Sequence, residues 1–266
     1  MADGTNPADA GGGRRVRAVQ ISCDIVEALR RLEGAGVTEL ASELDLSKGT
    51  VHTHLATLYD NELVVRDGDE YNLSLRFVTL GEFAKGNVDI YGTAVQETEA
   101  LAEECGEVAQ FMVEEHGQGV YLHKARGENA IQTASYAGYR KHLHCTALGK
   151  AILAHLPRER VDGIVERHGL PPQTDRTITD EATLHEELGR VREDGVAYDD
   201  EEILQGLRCV AAPIVDHRGV LHGSISVSGP VSRMKGSRFR EELSDLVRGA
   251  ANVIEVNAAQ TESRRS

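Results

Sequence analysis

The stretch LSKGTVHTHLATLYDNELVVRDGDEYNL, residues 46–73, constrains the fold more than any other part of the chain. Ser47 is placed to cap a helix whose apolar residues Val51, Leu55 and Leu58 recur at helical spacing. A short apolar run follows, and then an Asp-Gly pair, which is a strong signal for a hairpin turn. The pattern predicts a helix followed by a β-hairpin with strands at 63–66 and 70–73 and a turn between them.

Two shorter helices are predicted before this element. Apolar residues recur at helical spacing between 21 and 32, and Gly34 and Gly36 end that helix. Thr38 is expected to cap a second helix, and a tight turn at 44–46 leads into the third. Three short helices and a hairpin in this order predict a winged helix-turn-helix domain. A generic helical domain of similar shape is the alternative.

The outward face of the third helix carries small or short polar side chains, which can approach base edges without clashing. At the start of the helix, a hydroxyl, a lysine and the free N–H groups of the first turn suit a phosphate. We therefore expect DNA contacts from this helix and from the wing. The candidate DNA-contacting residues are Ser47, Lys48, Gly49, Thr50, His52, Thr53, Thr57 and Arg66.

His52 and His54 invite interpretation as a metal site. Residues two apart on a helix point about 200° apart, so this pair does not chelate one ion. His54 lies nearer the buried stripe and is expected to be packed or capped. No CxxC pattern occurs, so a zinc ribbon is unsupported, and no metal or cofactor is predicted. The four cysteines, expected to be free thiols, are Cys23, Cys105, Cys145 and Cys209.

The winged segment is acidic, which is unusual for a DNA-binding domain. Between residues 37 and 76 the bases are only Lys48, Arg66 and Arg76, against eight acids, and the whole chain has a formal net charge of -14. This acidity counts against ordinary non-specific DNA binding. A dispersed acidic surface, however, suits a halophilic protein in molar salt, where counterion release contributes little to binding. DNA binding there would depend on base contacts, shape and dimer symmetry.

The stretch GVLHGSISVSGP predicts a strand with two different faces. Ser224, Ser226 and Ser228 alternate with apolar residues, so one face joins the core and the other presents a row of hydroxyls. An almost wholly apolar strand at 208–214 indicates that the sheet is well buried. This favours a polar cavity over the alternative, an exposed edge strand.

The stretch HLHCTALGKAILAHLP predicts a loop that enters a helix. Thr146 is a plausible cap, and Ala147, Leu148 and Gly149 would expose backbone N–H groups in the first turn. These groups and the helix dipole attract a carboxylate or a phosphate. Gly149-Lys150 is not a P-loop, because alanine follows the lysine and no glycine precedes it at the needed spacing. ATP binding is therefore unsupported.

The chain resembles IclR-type transcriptional regulators over about residues 19–258. The resemblance rests on ELASELDLSKGTVHTHLATLYDNELVVRDGDEYNLSLRFVTLG, LHCTALGKAILAHLP and DDEEILQGLRCVAAPIVDHRGVLHGSISVSGP, and HTHLATLYDNELV is similar to haloarchaeal members. It implies an α+β fold with a winged helix-turn-helix domain, a linker helix and a GAF-like effector-binding domain. It also implies a homodimer, often a dimer of dimers, on a palindromic operator in double-stranded DNA. The implied effector is a small organic acid or aromatic compound from catabolism.

Carried onto this chain, the resemblance also implies an effector pocket in the second domain. One departure is that Ala147-Leu148 is bulkier than the Gly-Ala pair of the family's small-acid binders. The implied pocket uses the backbone of Ala147 and Leu148 and the side chains of Asp199, Leu207, Cys209, Ser226 and Ser228.

The sequence lacks both a secretory h-region at its N-terminus and an apolar run long enough to cross a membrane. We therefore expect a cytoplasmic protein with no membrane partner. The expected organisation is a flexible tail at 1–17, a winged helix-turn-helix domain at 18–76, a linker helix at 77–92, a GAF-like domain at 93–258 and a tail at 259–266.

A ligand-controlled regulator of a catabolic operon is the favoured interpretation, and three others remain open. One is an enzyme with Cys145 or Cys209 as nucleophile and His123, His142 or His144 as base, although the apolar context of Cys209 favours an inert thiol. A second is a redox sensor that uses either of those cysteines. The third is an interaction module that has lost DNA binding, which the acidic winged domain supports.

Overall fold

The computed structural model describes residues 16–263 of the chain and the side chains of residues 16–258. The chain divides into two compact units, Met1–Lys85 and Gly86–Ser266, and each has its own hydrophobic core. The predicted tails fall on residues 1–15 and 264–266, which lie outside the described residues, and on their immediate neighbours.

The first unit is a winged helix-turn-helix. Its strands form one antiparallel sheet in the order β1-β3-β2. The predicted stripe of Val51, Leu55 and Leu58 is buried, and it packs in one core with Ile25 and Leu29 of the first helix. The elements are α1 (Arg17–Leu32), β1 (Ala35–Gly36), α2 (Val37–Glu43), α3 (Lys48–Asp60), β2 (Val64–Asp67) and β3 (Glu70–Leu73).

Two details of this unit differ from the sequence prediction. Thr38 does not cap α2, because the helix begins directly after Gly36, which β1 holds against β3, and no side chain caps it. The hairpin turn is centred on Gly68 and Asp69, because Asp67 is still paired in the ladder. Gly68 has a φ of 60°, which suits a two-residue turn that begins with glycine.

The linker helix was predicted to span 77–92, but its predicted end is wrong. Helix α4 (Arg76–Gly86) ends at its glycine, and α5 (Tyr91–Cys105) begins after a short break. Ile90 and Ala94 are buried in the core of the second unit. Packing of α5 against that core therefore fixes where the new helix starts.

The second unit is built around a six-stranded antiparallel sheet in the order β6-β5-β4-β9-β8-β7. A π-helical segment, Arg238–Glu242, leads into the last helix. The remaining elements are β4 (Val108–Glu115), β5 (Gln118–Arg126), β6 (Arg140–His142), α6 (Ala147–Ala154), α7 (Arg158–His168), α8 (Glu181–Asp194), β7 (Ala197–Asp200), β8 (Leu207–Val215), β9 (Leu221–Pro230) and α9 (Leu243–Ser263).

Helices cover both faces of this sheet. Successive strand residues face opposite sides, so Phe111 packs in one core with α5 and α9, whereas Met112 packs in another with α6, α7 and α8. The whole chain is an α+β protein whose second unit is GAF-like. Helix α9 continues to Ser263, past residue 258, where a tail was predicted, because its last residues include good helix formers.

Within residues 16–263, no helix combines the length and the apolar character that crossing a bilayer requires.

Candidate functional site

The recognition helix α3 begins with the predicted cap. Ser47 Oγ accepts a hydrogen bond from the backbone N–H of Thr50 at 3.0 Å. Lys48 is exposed at the same end and has no ion-pair partner in the part of the chain that the structure describes. A free cation and the N–H groups of the first turn thus share one surface, an arrangement that attracts a phosphate.

The outward face of α3 carries mostly short side chains. Gly49, His52, Thr53 and Thr57 are exposed, and Thr50 is half-buried. Thr53 Oγ1 donates to the carbonyl of Gly49 at 2.9 Å, and Thr57 Oγ1 donates to the carbonyl of Thr53 at 3.1 Å. Because the hydroxyl hydrogens are used within the helix, the threonines offer methyl groups and oxygen lone pairs to a partner.

Arg66 is held at the wing. Its Nε donates to the carbonyl of Gly68 at 2.8 Å, and its guanidinium lies 5.6 Å from the ring centre of Tyr71. Its Nη2 also lies 3.4 Å from Asp69 Oδ1, which offsets part of its charge. The wing therefore presents a positioned but partly neutralised cation.

The two histidines of α3 have different surroundings. His54 Nδ1 lies 2.9 Å from Ser22 Oγ of α1, so His54 is the packed histidine that the sequence predicted, whereas its neighbour at position 52 is exposed. Among the described side chains, those of residues 16–258, three potential metal ligands converge only at Asp162, Glu181 and His185. There His185 Nε2 already bonds to Asp162 Oδ1 at 2.9 Å.

The second unit contains a cavity of about 260 Å³ between the sheet and the start of α6. All seven residues that the resemblance implied for a pocket line this one cavity: Ala147, Leu148, Asp199, Leu207, Cys209, Ser226 and Ser228. Three strands and one helix start contribute them, so the fold brings together residues that are far apart in sequence.

The start of α6 forms one wall of the cavity. Thr146 Oγ1 accepts from the backbone N–H of Gly149 at 2.9 Å, which confirms the predicted cap. The Gly149 N–H is therefore already used and does not remain free as predicted. The N–H groups of Ala147 and Leu148 remain in the first turn, where a helix leaves its donors unpaired. Unpaired N–H groups at a helix start are of the kind that can bind an anion.

The serine row lies on β9, which runs between β4 and β8, so the exposed-edge alternative is wrong. Ser224 Oγ donates to the carbonyl of Leu148 at 3.0 Å, which ties the strand to α6. Ser228 Oγ donates to Gln110 Oε1 at 3.4 Å. Ser226 Oγ is buried with no partner among the described residues, so it is available to a bound molecule.

Asp199 is completely buried at the same wall. Its Oδ1 accepts from the backbone N–H groups of Glu202 at 2.7 Å and Ile203 at 3.3 Å, whereas Oδ2 has no partner among the described residues. Burial, and then the charge of Glu202, raise the pKa of Asp199 to about 7. Asp199 can therefore donate or accept a hydrogen bond near neutral pH.

The two units match two protein-family models, one for each unit, in the same order along the chain. The IclR helix-turn-helix domain matches residues 18–68, and the bacterial transcriptional regulator IclR C-terminal domain matches residues 83–256. The chain belongs to the IclR family of transcriptional regulators.

Full-length relatives agree with this assignment. The HTH-type transcriptional regulator ArcR of Halobacterium salinarum is 34% identical over 253 residues, which are 94% of this chain and 96% of ArcR. KdgR of Escherichia coli is 33% identical over 231 residues, 86% of this chain and 88% of KdgR. The crystal structure of Thermotoga maritima IclR matches with a TM-score of 0.73 at 28% identity, covering 91% of this chain and 97% of that one.

An IclR homolog from Microbacterium hydrocarbonoxydans was solved in complex with 4-hydroxybenzoate. It has a TM-score of 0.77 and 19% identity, and it covers 91% of this chain and 99% of its own. At that identity it shows that the fold is shared.

More than half of the residues that line the cavity of this IclR regulator were not predicted from the sequence. Gln110 was the residue with a signal, because it is a polar residue in the otherwise apolar run VAQFM. It lies beside Ser226 across the β4–β9 pairing. Thr146 was predicted as the cap of α6 but not as a lining residue. The other missed residues come from strands and loops that only the fold brings to the cavity: Tyr121, Gln132, Thr133, Ala134, Ser135, Tyr139, Lys141, Ile203 and Leu204.

IclR-family membership makes this chain a transcriptional regulator, not an enzyme, and its thiols agree. Burial, and then the charge of Asp199, raise the pKa of Cys145 to about 12 and that of Cys209 well above its usual range. Cys145 Sγ bonds to the backbone carbonyl of His142, not to an imidazole. His144 Nε2 lies 3.2 Å from the carbonyl oxygen of Pro171. Thiols that stay protonated are poor nucleophiles and poor peroxide sensors.

Proposed function

We propose that this IclR-family chain is a cytoplasmic, ligand-responsive regulator of a catabolic operon that binds a palindromic operator in double-stranded DNA as a homodimer or a dimer of dimers. The observation that carries the proposal is the convergence of all seven implied pocket residues on one cavity in the unit that follows the DNA-binding domain. The catabolic pathway, whether of sugars, organic acids or aromatic compounds, rests on the family resemblance.

The DNA-contacting part of the proposal is supported by the geometry of α3. Ser47 and Lys48 suit a phosphate, while Gly49, Thr53 and Thr57 suit base edges. Because Arg31 pairs with Glu43 and Arg76 with Glu62, few cations remain for other phosphates. We therefore expect operator binding that rests on base contacts and symmetry and that operates in molar salt.

A small carboxylate is the proposed effector. The N–H groups of Ala147 and Leu148 offer an anion subsite, and Lys141 adds a cation to the same cavity. Tyr121 and Tyr139, with ring centres 6.3 Å apart, give the wall an apolar surface that suits a hydrocarbon body or a ring. An effector that binds one arrangement of the dimer more tightly shifts DNA affinity by that difference.

The dimer is supported by the unpartnered apolar surface of α4. This helix has no buried residue, and Val78, Leu80 and Phe83 are exposed, the last by 73%. Exposed apolar patches of this kind mark association surfaces. We propose that a second copy of the chain covers them.

The competing proposal is an interaction module that no longer contacts DNA, which the acidic first unit favours. Genome-wide occupancy of a tagged copy, measured in its own cells at native salt with several carbon sources, separates the two. A few sharp peaks that share a palindrome support the regulator, and the adjacent genes nominate the effector. Absence of discrete peaks on every carbon source would contradict operator binding.

A further inference from the structure

A cluster of buried charges lies directly behind the cavity wall. Lys150 of α6 is 1% exposed, and its Nζ lies 2.5 Å from Glu202 Oε1 and 3.5 Å from Glu187 Oε1. Glu202 also donates its backbone N–H to Asp199 Oδ1 at 2.7 Å. These four residues are one cation and three carboxylates, of which Asp199 lines the cavity and Glu187 is half-buried.

Because carboxylates outnumber cations in this cluster, binding of a proton by one of the carboxylates is favoured. Lys150, Asp199 and Glu202 are the buried members, so two ionised carboxylates and one ammonium would leave net negative charge in a region with little water, which is costly. Glu187 also pairs with Arg190, at 2.7 Å, and Glu202 pairs with Lys150. Each of the two buried carboxylates has one oxygen with no partner among the described residues, Oδ2 of Asp199 and Oε2 of Glu202, but only Glu202 has a cation in contact. The proton therefore belongs on Asp199, whose pKa burial raises to about 7.

The other uncharged groups around Asp199 keep their own protons near neutral pH and do not release one to it. Cys209 of β8 lies opposite Asp199 in the β7–β8 ladder, Cys145 lies just before α6, and Tyr121 comes from β5. Burial raises the pKa of each, so all are neutral near pH 7. The charged groups that face this region are Glu202 after β7, Lys150 of α6, Glu187 of α8 and Lys141 of β6.

We propose that Asp199 enters the effector complex as a protonated acid and donates its Oδ2–H to a carboxylate, so that the cavity takes up one proton with each carboxylate that it binds at a pH where free Asp199 is ionised. This inference rests on the proposed effector site and deepens it. Lys150 and Glu202 are positioning residues, because they set how firmly Asp199 holds the proton without touching the effector.

The coupling follows from charge and from hydrogen bonding. An ionised Asp199 would place a like charge beside the bound carboxylate, whereas the protonated acid supplies a strong O–H···O⁻ bond. The proton comes from solvent and stays shared between Asp199 and the effector. Above the pKa of free Asp199, the association constant is therefore expected to fall about tenfold for each pH unit, and below that pKa it is expected to be constant.

Calorimetric titration of the full-length chain in molar KCl tests the proposal. The probes are acetate, pyruvate, gluconate and 4-hydroxybenzoate, each titrated in two buffers that differ in ionisation enthalpy. The difference in heat gives the number of protons taken up per bound probe. At about pH 8.5 we expect about one proton, and at about pH 5.5 about none.

Two asparagine variants provide a matched comparison. Asp199→Asn keeps a donor but holds no titrating proton, so its proton uptake is expected to vanish at both pH values while a probe still binds. Asp200→Asn alters the neighbouring carboxylate, which points to the other face of β7 and pairs with Arg208. Its proton uptake is expected to equal that of the unaltered chain.

The positioning residues are tested by the direction of a shift. Glu202→Gln removes the negative charge beside Asp199, so the pH midpoint of binding is expected to fall by about one unit. Lys150→Met removes the nearest cation of the cluster, so the midpoint is expected to rise. A merely structural role would weaken binding in both variants without moving the midpoints in opposite directions. If Lys150→Met does not fold, Lys150→Gln and carboxyl-carbon NMR titration of Asp199 in the ligand-free Glu202→Gln chain give the same readout.

Each outcome separates the inference from the function on which it rests. A carboxylate that binds with no proton uptake at either pH overturns the inference and leaves the effector site in place. Failure of every probe to bind at both pH values overturns both. Binding with proton uptake that disappears only in Asp199→Asn supports both.

Discussion

Lys124 holds Thr133 at two points, because its Nζ donates to the threonine carbonyl at 2.8 Å and to the hydroxyl at 2.6 Å. The same ammonium donates to the carbonyl of Ser135 at 2.9 Å, and Gln110 Nε2 donates to the Ser135 hydroxyl at 2.7 Å. Residues 132–135 form one wall of the cavity. Hydrogen bonds from β4 and β5 therefore hold this wall in place.

Removing that ammonium is expected to loosen the cavity wall. Lys124→Met leaves the carbonyls of Thr133 and Ser135 without their donor, and hydrogen bonds to a charged group contribute about 1.5–3 kcal/mol each. We expect carboxylate affinity to fall by at least about tenfold and proteolysis between residues 127 and 139 to accelerate. The control is Arg126→Gln, an exposed change on the same strand. Equal affinity in the two variants would show that the wall does not depend on Lys124.

An acidic side chain on the recognition helix is expected to abolish operator binding. Thr53→Glu places a bulky negative charge on the exposed face of α3, where base edges and phosphates would approach. We expect at least about a hundredfold loss of operator affinity in molar salt, with an unchanged molecular mass by light scattering. Thr53→Ser keeps the hydroxyl that bonds to Gly49, so its loss should be small. Retained binding in Thr53→Glu would contradict the assignment of α3.

The first unit could be predicted from sequence because its signals are local. Ser47, the Val51–Leu58 stripe and the glycine of the wing each act within a few residues, and each lies where the spacing placed it or within one residue of that place. The break between α4 and α5 was not predictable in this way. It depends on burial of Ile90 in a core that forms from distant strands.

The cavity could be predicted only where a motif marked it. Gln110 reaches the site because β4 pairs with β9, which places it beside Ser226, and no local pattern reveals that pairing. Burial of the charged Lys150 could not be predicted from the sequence for the same reason. Its partners Glu187 and Glu202 lie on elements that only the tertiary fold brings to α6.

The start of α6 leaves no room for a side chain at Gly149. A Cβ there would lie 2.0 Å from the carbonyl oxygen of Leu143 and 2.4 Å from its Cα, both of which are backbone atoms. Gly149→Ala is therefore expected to displace α6 and to destabilise the second unit by about 2–3 kcal/mol. Gly163→Ala, in an exposed turn of α7 with nothing near its Cβ, should instead stabilise by about 0.5–1 kcal/mol. Calorimetric unfolding of both chains measures the difference, and shifts of the same sign would contradict the geometry.

The buried carboxylate of Glu107 depends on Arg233. Arg233 Nε lies 2.6 Å from Glu107 Oε1, and its Nη2 lies 2.7 Å from Oε2, while Glu107 is 1% exposed. Arg233→Met leaves that charge buried with Arg238 only at 3.9 Å, so we expect a loss of about 3 kcal/mol in unfolding free energy.

Adding Glu107→Gln to Arg233→Met should recover part of this stability, because the buried group is then neutral. Arg158→Met removes an exposed pair with Asp162 and should change stability by less than about 0.5 kcal/mol. Denaturant titration at neutral pH compares the variants. A double variant no more stable than Arg233→Met would mean that lost packing, not the unpaired charge, causes the effect.

Asp199 should also make the stability of the second unit depend on pH without any ligand. Its pKa is about 7 in the folded chain and the usual 3.8 when unfolded, so the folded state binds the proton more tightly. The stability that this proton provides is complete below about pH 4 and is lost as pH rises through about 7. Asp199→Asn removes the linkage, so relative to the unaltered chain it should gain a few kcal/mol between about pH 4 and pH 7.5. Thermal unfolding across that range measures the gain. Parallel stability curves for the two chains would mean that Asp199 is ionised in the folded protein at neutral pH.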